Sequence, residues 1–268
     1  LMRPGYPILG SDIAGRVEFA GKNHTEFKPG DEVFGELPGY QGGFAEYACT
    51  RGRTLALKPA SLTFEQAAAI PQAGVIAYQG ICATGQVQPG EKVLINGAGG
   101  SGGSFAIQLA KLYGAHVTGV DNTGKLDFMR SLGADHVIDY TQEDFSKGPE
   151  RYDLILDLIA HRSVFACRRV LQPNGRYFYV GGSVAVLFQI LLLGPAIRWA
   201  TAKNLRMLMV AQTRKDLLAV TELCEAGKIV PAIDRLYPLE ELPEAMRYIG
   251  EGRAKGKVVI TVSGGSTD

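Results

Sequence analysis

One stretch constrains the fold more than any other: Val93-Leu94-Ile95-Asn96-Gly97-Ala98-Gly99-Gly100-Ser101-Gly102-Gly103-Ser104. An apolar strand, a glycine-dense turn and a helix start follow one another in the order of a phosphate-cradling loop. It fits G-x-G-x-x-G at Gly97, Gly99 and Gly102, and A-x-G-x-x-G at Ala98, Gly100 and Gly103, with Ser101 inside both frames. Side chains at the glycines would keep a pyrophosphate away from the backbone N–H groups and the helix N-terminus. Asp121, eighteen residues past Gly103, ends the next strand and supplies the acidic residue of such a unit. The alternative is a glycine turn that only packs a helix on a sheet. The agreement of strand, loop, helix and acid favours a dinucleotide.

The text around this loop alternates strand and helix. A strand is predicted at Lys92–Asn96, a helix at Ser104–Tyr113, then a strand at His116–Val120 and a helix at Lys125–Leu132 stopped by Gly133. Further strands are expected at Asp135–Ile138 and Tyr152–Leu156, and a helix at Ser163–Leu171. A turn at Pro173-Asn174-Gly175, a strand at Tyr177–Val180 and another at Leu205–Val210 complete the series. This alternation predicts an α/β fold with a doubly wound parallel Rossmann sheet. Before it, Ile8–Glu46 consists of short apolar pieces cut by Gly, Pro and Asp, the text of a small β module. Thr63 ahead of Phe64-Glu65-Gln66-Ala67 reads as a capped helix start. After a helix at Lys215–Ala226 the β text returns and ends at Gly256-Lys257-Val258-Val259-Ile260. The expected division is therefore 72–211 for the Rossmann domain, with 1–71 and 212–268 forming a discontinuous β module.

Composition removes other classes. The 268 residues carry a net charge of +1, which fits neither a disordered acidic chain nor a basic nucleic-acid-binding domain. Cys49, Cys82, Cys167 and Cys224 are more than thirty residues apart, so a reducing, cytoplasmic setting is expected. The longest apolar run, Val184–Ile197, is interrupted by Gln189, Gly194 and Pro195 and is shorter than the roughly 20 residues of a membrane span. It reads as a buried helix or an interface, with no membrane span expected. No signal peptide is visible at the start. His24, His116, His136 and His161 offer no i, i+4 ligand pair. Glu240, Glu241 and Glu244 read as the solvated start of a helix near Pro243.

Several motifs in order then resemble the zinc-independent quinone oxidoreductase branch of the medium-chain dehydrogenase/reductases, related to zeta-crystallin. They are Gly10-Ser11-Asp12-Ile13-Ala14-Gly15, Pro29-Gly30-Asp31-Glu32-Val33, Gly42-Gly43-Phe44-Ala45-Glu46-Tyr47, the glycine loop, Leu132-Gly133-Ala134-Asp135 and Gly256-Lys257-Val258. The resemblance implies a GroES-like module, here partial because relatives begin some tens of residues earlier, with the Rossmann domain set inside it. It also implies a homodimer. Zinc-dependent relatives have His-Glu where this chain has Ser11-Asp12, a cysteine near Ala73 and a four-cysteine lobe, so no metal and no zinc are expected.

Cofactor choice stays open between two sets of residues. Asp121 could accept hydrogen bonds from ribose hydroxyls, which suits NAD(H), or could instead cap its own turn. The resemblance implies that a lysine eight residues before the Gly-Ala, here Lys125, and a tyrosine after the third strand, here Tyr140, hold a 2′-phosphate. NADP(H) is favoured, with NAD(H) the alternative. Gly181 and Gly182 resemble the loop on the nicotinamide side, and Gly102 stands where many relatives have valine. The expected activity is hydride transfer to a small-molecule quinone, enone or related carbonyl. Tyr78 and Gln72 lie where a proton donor would be useful, yet either could simply pack, and no catalytic residue is assigned. The contrasting reading is a non-catalytic NAD(P)H-binding sensor or scaffold.

Overall fold

The computed structural model describes residues 8–22, 26–39 and 42–262. The chain divides into two compact units, Leu1–Val75 with Gln212–Asp268, and Ile76–Ala211.

The first unit opens with three strands, β1 (Asp12–Arg16), β2 (Glu32–Glu36) and β3 (Leu55–Leu57), paired antiparallel in the order β1-β2-β3. Register puts Asp12 opposite Glu36 and Arg16 opposite Glu32. Phe27, Val33 and Leu55 form a small core with Ile13 and Val17 against it. Helix α1 (Phe64–Ala69) begins at Thr63 as its sequence predicts. The capping box closes with Gln66, whose amide N–H donates to the Thr63 hydroxyl while its side chain accepts from the Thr63 N–H. Helix α2 (Pro71–Tyr78) follows directly and runs into a π-helical turn at Gln79–Ala83.

The second unit is built on one parallel sheet. Its elements are β4 (Lys92–Asn96), α3 (Ser101–Leu112), β5 (His116–Asp121), α4 (Leu126–Ser131), β6 (His136–Asp139), β7 (Tyr152–Asp157), α5 (Val164–Arg169), β8 (Leu171–Tyr179), α6 (Val184–Thr201) and β9 (Asn204–Met207). The strand order is β6-β5-β4-β7-β8-β9, all parallel. The order reverses between β4 and β7, the switch point beside which doubly wound sheets bind ligands. Leu94, Ile155, Tyr177 and Val164 are among the fully buried side chains of its core. The Gln79 side chain donates to the Ala211 carbonyl at 2.8 Å and accepts from the Ala211 N–H at 3.1 Å, so the beginning and end of this unit are tied together.

Three details differ from the sequence reading. Helix α3 starts at Ser101, not Ser104, because the last glycines of the loop already have helical geometry. The expected turn at Pro173-Asn174-Gly175 is a kink inside one strand, β8. Asn174 adopts φ +62°, and pairing steps from Tyr152–Leu171 to Leu154–Arg176. The apolar run forms α6, which continues through Gly194 and Pro195 to Thr201. Only Val186, Ile190, Gly194 and Ile197 are buried there. Phe188, Leu192 and Trp199 are exposed at 58%, 74% and 91%, so the buried-helix reading holds for one face only. A Cβ at Gly194 would lie 2.6 Å from the Leu205 carbonyl, which explains why a glycine sits where α6 crosses β9. Among the described residues, α6 is the one helix with the length and composition of a membrane-crossing segment.

The chain then returns to the first unit with α7 (Arg214–Glu225), β10 (Ile233–Pro238), α8 (Leu242–Gly250) and β11 (Lys257–Thr261). Strands β10 and β11 pair in parallel, which requires the crossover that α8 provides. Glu240 and Glu241 lie in the 3₁₀ turn that leads into α8, and Glu244 in its first turn pairs with Arg247.

Candidate cofactor site

Loops that follow β4, β5, β6, β7 and β8 lie along the carboxyl edge of the parallel sheet. After β4 the chain turns at Gly97, whose φ of +83° a side chain would resist, and the Gly97 and Ala98 amides both donate to the Val120 carbonyl. Gly100 is the N-cap of α3 and offers no side-chain hydrogen bond, so the first-turn amides of a twelve-residue helix face outward without a side-chain acceptor. That is the geometry in which an anionic pyrophosphate is held. The two sequence frames are now distinguished. A Cβ at Gly103 would fall 2.3 Å from the Gly97 carbonyl and 2.5 Å from the Ala98 Cα, whereas one at Gly102 would meet only Leu158, at 3.6 Å. Gly103 is thus the helix-packing glycine, and it is the last glycine of the A-x-G-x-x-G frame at Ala98, Gly100 and Gly103. Ser101 opens the helix, and its carbonyl accepts from the Ser104 hydroxyl.

Gly99 has a separate role. Its N–H donates to Asp121 Oδ2 at 2.9 Å, and a Cβ there would lie 2.6 Å from the Lys125 side chain. Asp121 Oδ1 accepts from the Asn122 N–H and lies 3.3 Å from Lys125 Nζ. Both residues are buried, at 5% and 7% exposure. The structure therefore turns Asp121 inward, stapling the glycine loop to the end of β5 and neutralising Lys125. Tyr140 is half exposed beside them, its N–H donating to the Asp121 carbonyl. Thr123 and Thr141 donate their hydroxyls to Asp139 and hold its carboxyl below the ordinary range, which fixes the backbone on either side of Tyr140.

On the other side of the switch point, the Leu158 N–H donates to the Asn96 carbonyl and the Ile159 side chain packs on Gly97. Gly182 forms a bridge to Ala160, and a Cβ at Gly182 would lie 2.4 Å from Ala160 backbone atoms. The Ala160 N–H donates to the Gly181 carbonyl at 2.8 Å. Gly181 and Gly182 thus zip the loops after β7 and β8 together. Beneath them is a network that the sequence reading missed. Asp157, fully buried, accepts from Asn96 Nδ2 and the Tyr177 hydroxyl, both at 2.7 Å, and burial pushes its carboxyl up. The signal was present as an acid closing the apolar strand Tyr152–Asp157, the same pattern that drew attention to Asp121.

Tyr78 lines a surface cleft of about 740 Å³ with Cys82, Gln88, Pro89, Leu112 and Tyr113. This cleft lies at the amino edge of the sheet, away from the glycine loop. The Gln72 N–H donates to Asp12 Oδ1 at 3.2 Å. His116, His136 and His161 are exposed, and His24 lies outside the described residues. Among the described residues no three His, Cys, Asp or Glu side chains gather as a metal would need.

A six-stranded parallel sheet with a glycine-rich loop at its switch point defines a Rossmann-type fold. A family model described as "Zinc-binding dehydrogenase" matches residues 132–260, and one described as "Alcohol dehydrogenase GroES-like domain" matches residues 2–60. The chain belongs to the medium-chain dehydrogenase/reductase family. Its fold is a Rossmann-type parallel sheet with helices and a GroES-like domain. It is 33% identical to the mitochondrial NAD(P)H oxidoreductase RTN4IP1 of Danio rerio, over 95% of this chain and 72% of that protein. It is 36% identical to the 2-methylene-furan-3-one reductase of Solanum lycopersicum, over 94% of this chain and 63% of that one. The quinone oxidoreductase structure from Coxiella burnetii superposes with a TM-score of 0.85 at 27% identity, covering 94% of this chain and 78% of that one.

Proposed function

We propose that this chain is an NAD(P)H-dependent oxidoreductase that reduces a quinone, enone or related carbonyl compound without zinc. The observation that carries the reading is the glycine cradle. Gly97, Gly100 and Gly103 leave the N-terminus of α3 bare at the switch point of the sheet. The names of the relatives support a reductase, and Ser11-Asp12, where zinc-dependent relatives have His-Glu, supports chemistry without a metal. A bound nicotinamide cofactor supplies the hydride. The chain supplies position: the loop from Gly97 to Gly103 for the pyrophosphate, Asp121, Lys125 and Tyr140 for the adenosine end, and Gly181 and Gly182 for the nicotinamide side. An oxyanion that develops on the substrate needs hydrogen-bond donors, each worth about 3 kcal/mol in a dry site.

NADP(H) is the proposed form, on Lys125 and Tyr140. NAD(H) is a second reading, because the buried ion pair with Asp121 already satisfies the lysine charge. We assign residues 72–211 to cofactor binding and 1–71 with 212–268 to the substrate side. A homodimer is proposed through the exposed face of α6 and the edge strand β9, with no nucleic-acid partner. A reducing compartment, the cytoplasm in the first instance, suits four free cysteines.

The test is a fluorescence titration of the purified protein with NADPH and NADH, followed by 1,4-benzoquinone and a simple enone. Binding with oxidation of the cofactor is expected. Binding without oxidation of either acceptor would move the chain to a sensor or scaffold role, and absence of binding would remove the central claim.

A further inference from the structure

We propose that a small pocket between Glu36 and Gln212 in the first unit is a built site for one water molecule, and that Glu36, paired across the sheet with Asp12, is the carboxyl of the two that takes up and releases a proton through it. The pocket lies wholly within residues 36–75 and 212–217 and shares no residue with the cofactor loop. It begins with strand register, since the antiparallel pairing of β1 and β2 places Asp12 directly opposite Glu36. Opposite residues share one face of a sheet, so two carboxyl groups are forced together. Among the described residues one cation, Lys257, is paired with them. Lys257 Nζ is ion-paired with Asp12, whose other oxygen accepts the Gln72 N–H at 3.2 Å.

Glu36 is left as the carboxyl without a cation of its own. It is only 6% exposed, and its Oε1 is buried without a hydrogen-bond partner. Gln212 Nε2 is buried and makes no full hydrogen bond either, though it lies near enough to Glu36 to hold its carboxyl down. Both residues line the same pocket with Thr54, Pro71, Val75, Thr213 and Leu217, none of which is charged. The Thr54 hydroxyl is already committed to the Glu36 carbonyl at 2.5 Å. The pocket holds about 10 Å³, the space of a single water. Such a water would accept from the Gln212 amide and donate to Glu36, satisfying two buried polar atoms at once. Burial first, and the Asp12 charge second, push the Glu36 carboxyl up to about 7, while Gln212 and Lys257 oppose the shift.

The sign of the linkage follows from the raised value. The neutral carboxyl stabilises the folded chain fully below its ordinary value of 4.5, and that contribution is lost as pH rises through about 7. Between pH 5 and 8, the melting temperature of the full chain should therefore fall more than that of Glu36→Gln, which mimics the protonated form at every pH. Infrared difference spectra between the two proteins should show a protonated carboxyl band whose midpoint lies near 7. In Asp12→Asn the midpoint should drop by about one pH unit, and in Gln212→Leu it should rise. A band that titrates in the ordinary carboxylate range, or one that Asp12→Asn leaves in place, would overturn the proton-exchange claim. A crystal structure of the full chain should show one water bonded to both Glu36 and Gln212. An empty pocket, or a direct Glu36–Gln212 hydrogen bond, would overturn the water site.

Discussion

Lys125 faces two claims on one charge. The family resemblance implies a 2′-phosphate contact for it, and its buried contact with Asp121 makes it a structural cation. Replacing it with Met separates these roles. If the lysine reads the phosphate, Lys125→Met should weaken NADPH binding at least tenfold, about 1.4 kcal/mol, and leave NADH nearly unchanged. Equal loss for both cofactors in parallel titrations would assign it to holding Asp121 against the Gly99 amide. Asp157 gives a second residue-scale expectation. Asp157→Leu would strand the Tyr177 hydroxyl and the Asn96 amide in the core, each at about 1–3 kcal/mol. Urea unfolding should show that loss, and the same substitution in a Tyr177→Phe background should cost less. Spacing after the glycine loop singled out Asp121, and the family resemblance singled out Lys125 and Tyr140, but neither decided their partners. The choice between ribose acceptor and loop staple depends on which amide reaches the carboxylate, and Gly99 lies twenty-two residues away. Glu36 was unreadable for a related reason, because its burial arises from pairing with β1 across a distant turn.

At the level of elements, strand–helix alternation was legible throughout 92–207 because the inner parallel strands β4, β5, β7 and β8 are largely buried and bounded by glycine or a cap. Boundaries failed where backbone geometry crossed a compositional border, as at Ser101, or where tertiary pairing overrode a turn signal, as in β8. The loop offers a paired prediction. Gly103→Ala should abolish cofactor binding, since its Cβ meets backbone at 2.3–2.5 Å. Gly102→Ala should be tolerated, because its Cβ makes ordinary contact with one leucine. Calorimetric titration of the two variants checks both. Helix α6 supplies another expectation. A charge placed in its exposed face by Leu192→Glu should convert a dimer to a monomer in sedimentation, without loss of helix content. A wild-type chain that sediments as a monomer would remove the proposed interface.

For the whole molecule, a ligand that binds only the folded chain raises its stability by mass action. Cofactor at one hundred times its dissociation constant should add about 2.7 kcal/mol to the unit that binds it. Thermal melts should accordingly show a rise of several degrees, confined to the transition of 76–211 if the two units unfold separately. The broad plan was readable from the order of text types, β pieces, then alternation, then β pieces again. The parallel pairing of β10 with β11 was not, because local pattern carries no record of strand direction. The clasp between Gln79 and Ala211 gives that plan an architectural meaning. Chain entry and exit share one doorway, so 76–211 behaves as a cassette spliced into its host. A cassette of this kind could be lifted out and carried between hosts, its two ends already sewn together by a single side chain.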